Sequence, residues 1–149
     1  MREIPVTQGR VALVDSEDYP LVAGRKWSCS SGAAMRYECG VPTYMARLIM
    51  DAPDGIEIDH INGDRLDNRR CNLRLCTHRQ NLRNRKRQDN GSSRYKGVHK
   101  SAGKWRAMIG YDGKLYHLGY FADEEEAARA YNAAATEHFG EFARLNVFN

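Results

Sequence analysis

The chain has no long apolar run. None of its 149 residues sits in a stretch approaching the ~18 apolar positions that a membrane helix needs, and the mean hydropathy is −0.69. A protein of membrane-spanning helices is therefore not expected, and the protein is read as soluble. The opening Met1-Arg2-Glu3-Ile4-Pro5 lacks the apolar core of a secretory signal. The four cysteines, Cys29, Cys39, Cys71 and Cys76, are then expected to sit reduced in a cytoplasm. They also lack paired knuckles of the Cys-x₂₋₄-Cys kind; only Cys71 and Cys76 come near that spacing. Structural zinc is not expected, and buried free thiols are the ordinary outcome.

Acidic residues are scarce in one place. Residues 60–106 hold 3 Asp/Glu against 14 Lys/Arg, while residues 1–59 hold 9 against 6 and residues 107–149 hold 7 against 3. A net charge of +4 thus conceals a strongly basic middle third. Such a block is the electrostatic footprint of a polyanion, and nucleic acid is the partner it predicts.

The chain divides on pattern. Residues 1–50 read as a β-rich unit: Val11-Ala12-Leu13-Val14 is a short apolar run between polar residues, and Trp27 and Met35–Cys39 flank a Ser-Ser-Gly turn. Thr43 to Met50 reads as a short helix or strand on that hairpin. Residues 56–62 read as a strand closed by the turn pair Asn62-Gly63. A polar loop over 64–72 follows, then a short alternating strand, Leu73-Arg74-Leu75-Cys76. Thr77 with Gln80 makes a capping box, predicting a helix to about Gln88. Residues 89–93 read as a linker between domains 1–88 and 94–149. Beyond it come strands near 95–100, 104–111 and 114–119, the last two joined by Asp112-Gly113. A final helix is capped by Asp123 and Glu126, carries the stripe Ala127, Ala130, Tyr131, Ala134, and stops at Gly140.

Chemistry concentrates at Asp59-His60 and its answering asparagines. Phosphodiester hydrolysis needs a base for water and a cation for the crowded negative charge. His60 can be the base, because an imidazole is largely neutral at pH 7. Asp59 and the amide oxygen of Asn81 are hard oxygen ligands suited to Mg²⁺, which keeps several waters. Asn72 fits a supporting role, tying the loop back and holding His60 in orientation. Taken singly, each of these residues has an ordinary structural explanation, as caps and satisfied histidines do.

Asp59-His60, Asn62-Gly63, Asp67-Asn68, Asn72-Leu73-Arg74 and Asn81 together resemble the HNH endonuclease motif of phage and intron homing enzymes. The resemblance implies a ββα-metal fold over 56–88, His60 as general base, and Asp59 and Asn81 on one divalent metal. Residues 94–146 resemble the Apetala-two, or ethylene-response-factor, DNA-binding domain, through Tyr95-Lys96-Gly97-Val98, Gly103-Lys104-Trp105, Leu118-Gly119-Tyr120-Phe121, Glu125–Tyr131 and Ala143-Arg144-Leu145-Asn146. It implies a three-stranded antiparallel sheet packed on one helix, with the sheet against the major groove. An acidic helix would be repelled by phosphates, which also turns the sheet toward DNA.

The expected whole is α+β: a β-rich unit, a nuclease motif, and a sheet-on-helix module. The expected activity is a site-specific DNA endonuclease of the homing type, acting as a monomer on double-stranded DNA in the cytoplasm of a bacterial host, with Mg²⁺. The competing reading is a DNA-binding regulator with a silent nuclease fold. Candidate DNA contacts are Arg65, Arg69, Arg70, Arg74, Arg83, Arg85, Lys86, Arg87, Arg94, Lys96, His99, Lys100, Lys104, Arg106 and His117. An RNA partner is disfavoured, since the sheet lacks an exposed aromatic pair for stacking bases.

Overall fold

A computed structural model describes residues 1–85 and 91–148. They form a mixed, β-rich structure that divides into two compact units, Met1–Asn81 and Leu82–Asn149.

In the first unit, β1 (Arg2–Val6) pairs antiparallel with β2 (Arg10–Val14), Ile4 opposite Ala12. Alternation buries Ile4, Val6, Ala12 and Val14 on one face. The sequence pattern hides β1 because Pro5 argues against a strand. Pro5 is tolerated because β1 is an edge strand: β2 is its partner in a two-stranded sheet, and on its other side a bridge forms only beyond Pro5, from Val6 to Trp27. A one-turn helix, α1 (Tyr19–Val22), leads to Trp27, whose indole Nε1 donates to the Val22 carbonyl at 3.0 Å. A three-stranded sheet follows, β3 (Ser28–Ser30), β4 (Ala33–Glu38) and β5 (Val41–Tyr44), in that spatial order. The stretch read as helix or strand is both: β5 runs into α2 (Met45–Met50).

Two elements then carry the motif. β6 (Glu57–His60) and β7 (Leu73–Cys76) form a two-stranded antiparallel sheet, linked by a loop that closes with a 3₁₀ turn, Arg70–Asn72. α3 (His78–Arg83) starts as the sequence indicates: Thr77 N–H donates to Gln80 Oε1 at 2.8 Å, and Gln80 N–H to Thr77 Oγ1 at 3.3 Å. It ends at Arg83 instead of near Gln88. There Lys96 Nζ donates to the carbonyls of Arg83 and Arg85, each at 2.7 Å, supplying partners that further helix would have supplied. Lys86, Arg87 and Gln88 lie outside the described residues.

One core serves the whole first unit. Val14, Val22, Trp27, Met45, Ala46 and Ile49 pack with Leu66 of the motif loop and Leu73 of β7, and Ile58 of β6 lies against them. The N-terminal half therefore provides the apolar body on which the small motif sheet rests, which about 30 residues could not bury alone. Backbone pairing reinforces it: Leu13 N–H donates to the Leu66 carbonyl and Asn68 N–H to the Leu13 carbonyl, both at 2.8 Å.

In the second unit, β8 (Val98–Ser101), β9 (Lys104–Tyr111) and β10 (Lys114–Phe121) form an antiparallel sheet in the order β10-β9-β8. α4 (Glu124–Phe139) lies on it. Asp123 Oδ1 accepts from the backbone of Glu125 at 2.8 Å and Glu126 at 3.1 Å, fixing the helix start. Ala127, Ala128, Tyr131, Ala134 and Ala135 are buried against Val98, Ala107 and Ile109, so small side chains bring the helix close to the sheet. The last part of the expected linker is not one: Ser93 is buried, and its hydroxyl donates to Glu124 Oε1 at 2.7 Å. β8 begins at Val98 instead of Tyr95 because Gly97 breaks the strand at φ +76°.

Gly97 is required twice over. Beyond its left-handed backbone, a Cβ there would stand 2.0 Å from the Tyr131 ring and 2.7 Å from the Met108 carbonyl. Gly103, at φ +77°, faces open space. Gly97→Ala should therefore destabilise the second unit by about 3 kcal/mol, through strain plus a clash in a packed core, while Gly103→Ala costs about 1 kcal/mol. Denaturant titration of both variants checks the contrast; equal losses would show that Tyr131 yields freely.

Candidate active site

The motif strand presents two faces. Ile58 points into the core, so alternation places Glu57 and Asp59 together on the other side. Asp59 is 4% exposed and lies opposite Arg74 across the ladder. Arg74 donates to Asp59 Oδ2 from Nε at 2.8 Å and from Nη2 at 2.6 Å. The pairing of strands thus delivers Arg74 to Asp59.

Asn81 reaches the same face from α3. Its Nδ2 donates to Glu57 Oε2 at 2.7 Å, and the exposed His78 donates from Nδ1 to Glu57 Oε1 at 2.7 Å. These hydrogen bonds hold the Glu57 carboxyl below the ordinary glutamate range, the one from Asn81 contributing most. Glu57 and His78 were not singled out from the sequence. Their signal was available in the two-residue spacing from Glu57 to Asp59 within one strand.

His60 ends the strand and turns the other way, toward the loop. Asn68, 1% exposed, donates from Nδ2 to the Leu66 carbonyl at 3.2 Å, which orients Oδ1 toward His60 Nε2 at 3.3 Å. An amide oxygen only accepts, so Nε2 carries the proton and Nδ1 bears the lone pair of the neutral ring. Burial pushes the imidazole below its ordinary 6.5, Asn68 opposes the shift, and Arg65 adds to it.

Asn72 hydrogen-bonds both sides of the loop. Its Oδ1 accepts from Asn62 N–H at 2.9 Å and its Nδ2 donates to the Asp67 carbonyl at 2.8 Å. The side-chain hydrogen bond described for His60, however, comes from Asn68. Asn72 steadies the loop in which Asn68 sits; it is Asn68 that meets the ring.

The basic residues separate into two groups. Arg69 pairs with the buried Asp67 through Nε and Nη2, both at 2.7 Å, which lowers the Asp67 carboxyl and raises the guanidinium. Arg70 holds the buried Asp18 at 2.7 Å and the Ile49 carbonyl at 2.8 Å. With Arg74 on Asp59, these three arginines are engaged by internal carboxylates, while the Arg70 side chain stays 54% exposed. Arg65 donates to the Ser31 carbonyl at 2.9 Å and is exposed.

The second unit shows the same division. Arg83 donates to the Gly110 carbonyl at 2.5 Å and lies 4.3 Å over the Phe139 ring. Lys96 is half-buried against the carbonyls of Arg83 and Arg85, and burial beside Arg144, Arg83 and Arg85 lowers its ammonium to about 8. Lys100 pairs with Trp105 in register, with Nζ 5.7 Å over that ring, which places it on the helix side of the sheet. Lys96 is thus held by backbone carbonyls, whereas Lys100 remains exposed. Across the other face, His99, Arg106 and Tyr120 align in one row and Met108 with His117 in the next. His99, Lys104, His117 and Arg85 are exposed, Arg106 is half-buried, and Arg94 reaches Glu125 at 3.4 Å. Lys86 and Arg87 are outside the described residues.

No group of three or more His, Cys, Asp or Glu among the described residues is placed to enclose a metal ion. The Asp59 carboxylate and the Asn81 amide oxygen are nevertheless hard oxygen donors, which fit a divalent cation completed by water and phosphate. Cys29 and Cys76 are buried free thiols, and Cys39 and Cys71 are exposed ones. No helix among the described residues is long and apolar enough to cross a membrane.

Residues 51–83 match the HNH endonuclease family profile, the segment that holds β6, β7 and α3. An uncharacterized HNH endonuclease, L560, of Acanthamoeba polyphaga mimivirus is 35% identical over 146 residues, covering 93% of this chain and 76% of that protein. The chain belongs to the HNH endonuclease family. Membership makes it a nuclease with DNA as its substrate class, and HNH nucleases generally use a divalent metal. Partial matches fall elsewhere: the AP2-like ethylene-responsive transcription factor At1g16060 of Arabidopsis thaliana is 46% identical over 54 residues, 34% of this chain and 16% of that protein. The ethylene-responsive transcription factor WRI1 of the same plant is 40% identical over 82 residues, 50% of this chain and 19% of that protein.

His60 sets a pH dependence whose sign is fixed. A folded pKa below the unfolded 6.5 means the unfolded chain binds the proton more readily. The stability it contributes is present above pH 6.5 and is lost as pH falls through the folded value. Without divalent cations, NMR titration should place the His60 imidazole below 6.5, and His60→Gln should flatten that part of the stability–pH curve. A value at or above 6.5 would contradict the burial described.

Proposed function

We propose that the protein is a site-specific DNA endonuclease of the homing type, acting through a ββα-metal motif. The observation that carries this reading is the arrangement around β6: Asn81 of α3 is bound to Glu57 on the strand face that also carries Asp59, while His60 ends the strand with Nε2 held by Asn68. Nδ1 of His60 then takes the proton of the attacking water. Asp59 and the oxygen of Asn81 hold the cation, for which Mg²⁺ is the best fit. A bound divalent cation would stabilise negative charge developing on the phosphate. Asn68 fixes the ring tautomer, and Asn72 keeps the loop that carries Asn68 in place.

Residues 94–149, which lie within the second unit, are read as an Apetala-two-like DNA-binding module, with residues 1–88 as the nuclease domain. Support comes from the partial matches, from the acidic first turn of α4, and from Arg106, flanked by His99 and Tyr120, on the sheet face opposite it. Arg106 and its neighbours His99 and His117 would read base edges, while Lys104, Arg85 and Arg65 grip phosphate. One monomer on double-stranded DNA suffices, since two linked DNA-binding regions can cover an asymmetric site. The setting consistent with this reading is the cytoplasm of a host cell.

His60→Ala should leave DNA affinity within about twofold and abolish Mg²⁺-dependent scission of flanking genomic DNA. A wild-type protein that binds tightly but leaves DNA intact with every divalent cation tried would instead favour a DNA-binding regulator with a silent nuclease fold. Neutralising Arg85 and Lys104 should weaken binding to all sequences alike and reduce the salt slope by about 0.9 for each phosphate no longer neutralised. An unchanged slope would remove both from the interface.

A further inference from the structure

An asparagine makes an ambiguous metal ligand. Its amide carries an oxygen that attracts a cation at one end and an NH₂ group that repels it at the other, and a half-turn about the last side-chain bond exchanges them. Whatever fixes that rotation decides whether Asn81 binds metal at all. In this structure the fixing group is Glu57. A carboxylate can only accept hydrogen bonds, and Glu57 Oε2 takes the NH₂ end of Asn81 at 2.7 Å. The oxygen end is thereby turned away from Glu57. Glu57 sits two residues before Asp59 on the same strand face, so this choice is made beside the carboxylate that would share the metal.

Glu57 is itself held. His78 donates to its other oxygen, Oε1, at 2.7 Å, so both carboxylate oxygens already accept hydrogen bonds from α3. The strand pairing adds a further restraint, with Cys76 opposite Glu57 and its Sγ donating to the Glu57 carbonyl at 3.6 Å. A carboxylate occupied in this way is poorly available as a ligand in its own right. Its geometry is that of a support, reaching from strand to helix and setting the side chain at position 81.

We infer that Glu57 is a positioning residue: it locks the Asn81 amide with its oxygen presented for a divalent cation, and His78 in turn holds Glu57. The inference rests on Asn81 being a metal ligand, as proposed above, and adds the group that makes it one. An aspartate at position 81 would not need this help, because its two oxygens are equivalent under the same rotation.

That difference supplies the test. Mn²⁺ binding to the full-length protein is measured by electron paramagnetic resonance or calorimetry, alongside the Mg²⁺ dependence of cleavage. Glu57→Ala should weaken Mn²⁺ roughly tenfold or more, as loss of such supporting groups does. Glu57→Gln, which keeps an accepting oxygen and the side-chain volume, should recover much of the affinity. In an Asn81→Asp background, Glu57→Ala should cause no loss, giving a strongly non-additive cycle. An equal loss in both backgrounds would overturn the inference and make Glu57 a ligand or a folding element. Unchanged affinity in Glu57→Ala, with wild type binding Mn²⁺ normally, would overturn it while leaving the nuclease reading intact. If the wild-type protein bound no Mn²⁺ and cut no DNA, the nuclease reading would fail and the inference with it.

Discussion

Two backbone hydrogen bonds between β2 and the motif loop constrain everything around the site. Leu13 pairs on its free edge with Leu66 and Asn68, so a strand near the N-terminus grips a loop more than fifty residues later. Asn68 then has no freedom to leave His60, and Leu66 is drawn into the core beside Ile49 and Met45. The motif itself contains only two four-residue strands and a short helix. Its precision comes from the body it is fastened to. Arg47 works in the same sense on the approach to β6, donating to the carbonyls of Ala52, Pro53 and Ile56 at 3.0, 2.9 and 2.6 Å.

Charge is distributed less simply than composition suggests. The basic middle third does contain exposed cations, but Arg69, Arg70 and Arg74 each compensate a buried aspartate. Buried carboxylates are unfavourable unless paired, and guanidinium is the group that pairs them with two parallel hydrogen bonds. Part of the positive block therefore stabilises the loop geometry. What remains for a polyanion is concentrated on fewer residues than a count along the chain implies.

The sequence was a good guide wherever local chemistry decides. The capping boxes at Thr77 and Asp123, the stop at Gly140 and the strands over 73–76 and 104–111 follow from side-chain hydrogen bonding and alternation within a few residues, and the strand read over 114–119 runs on to Phe121. The backbone of the site was legible for the same reason: spacing placed Asp59 on a strand and Asn81 on a helix. What escaped depended on partners distant in the chain. β1 was hidden by Pro5, whose tolerance depends on the strand being an edge. The end of α3 depends on Lys96, and the ordering of Ser93 on Glu124. The roles of Asn68 and Glu57 required knowing which loop and which helix come back to them. Ala46 is core, 5% exposed in one cluster with Trp27, Met45 and Ile49.

The thiol opposite Glu57 has a practical side. Burial pushes Cys76 up to about 11, with the Asp59 and Glu57 carboxylates acting in the same direction. At neutral pH it is almost wholly protonated and so a poor nucleophile toward oxidants and alkylating reagents. Cys39 on the β4–β5 hairpin and Cys71 in the 3₁₀ turn are open to solvent. The native chain thus carries two labelling handles, one of them in the turn leading into β7, and thiol-reactive fluorophores attach there while Cys76 stays unmodified.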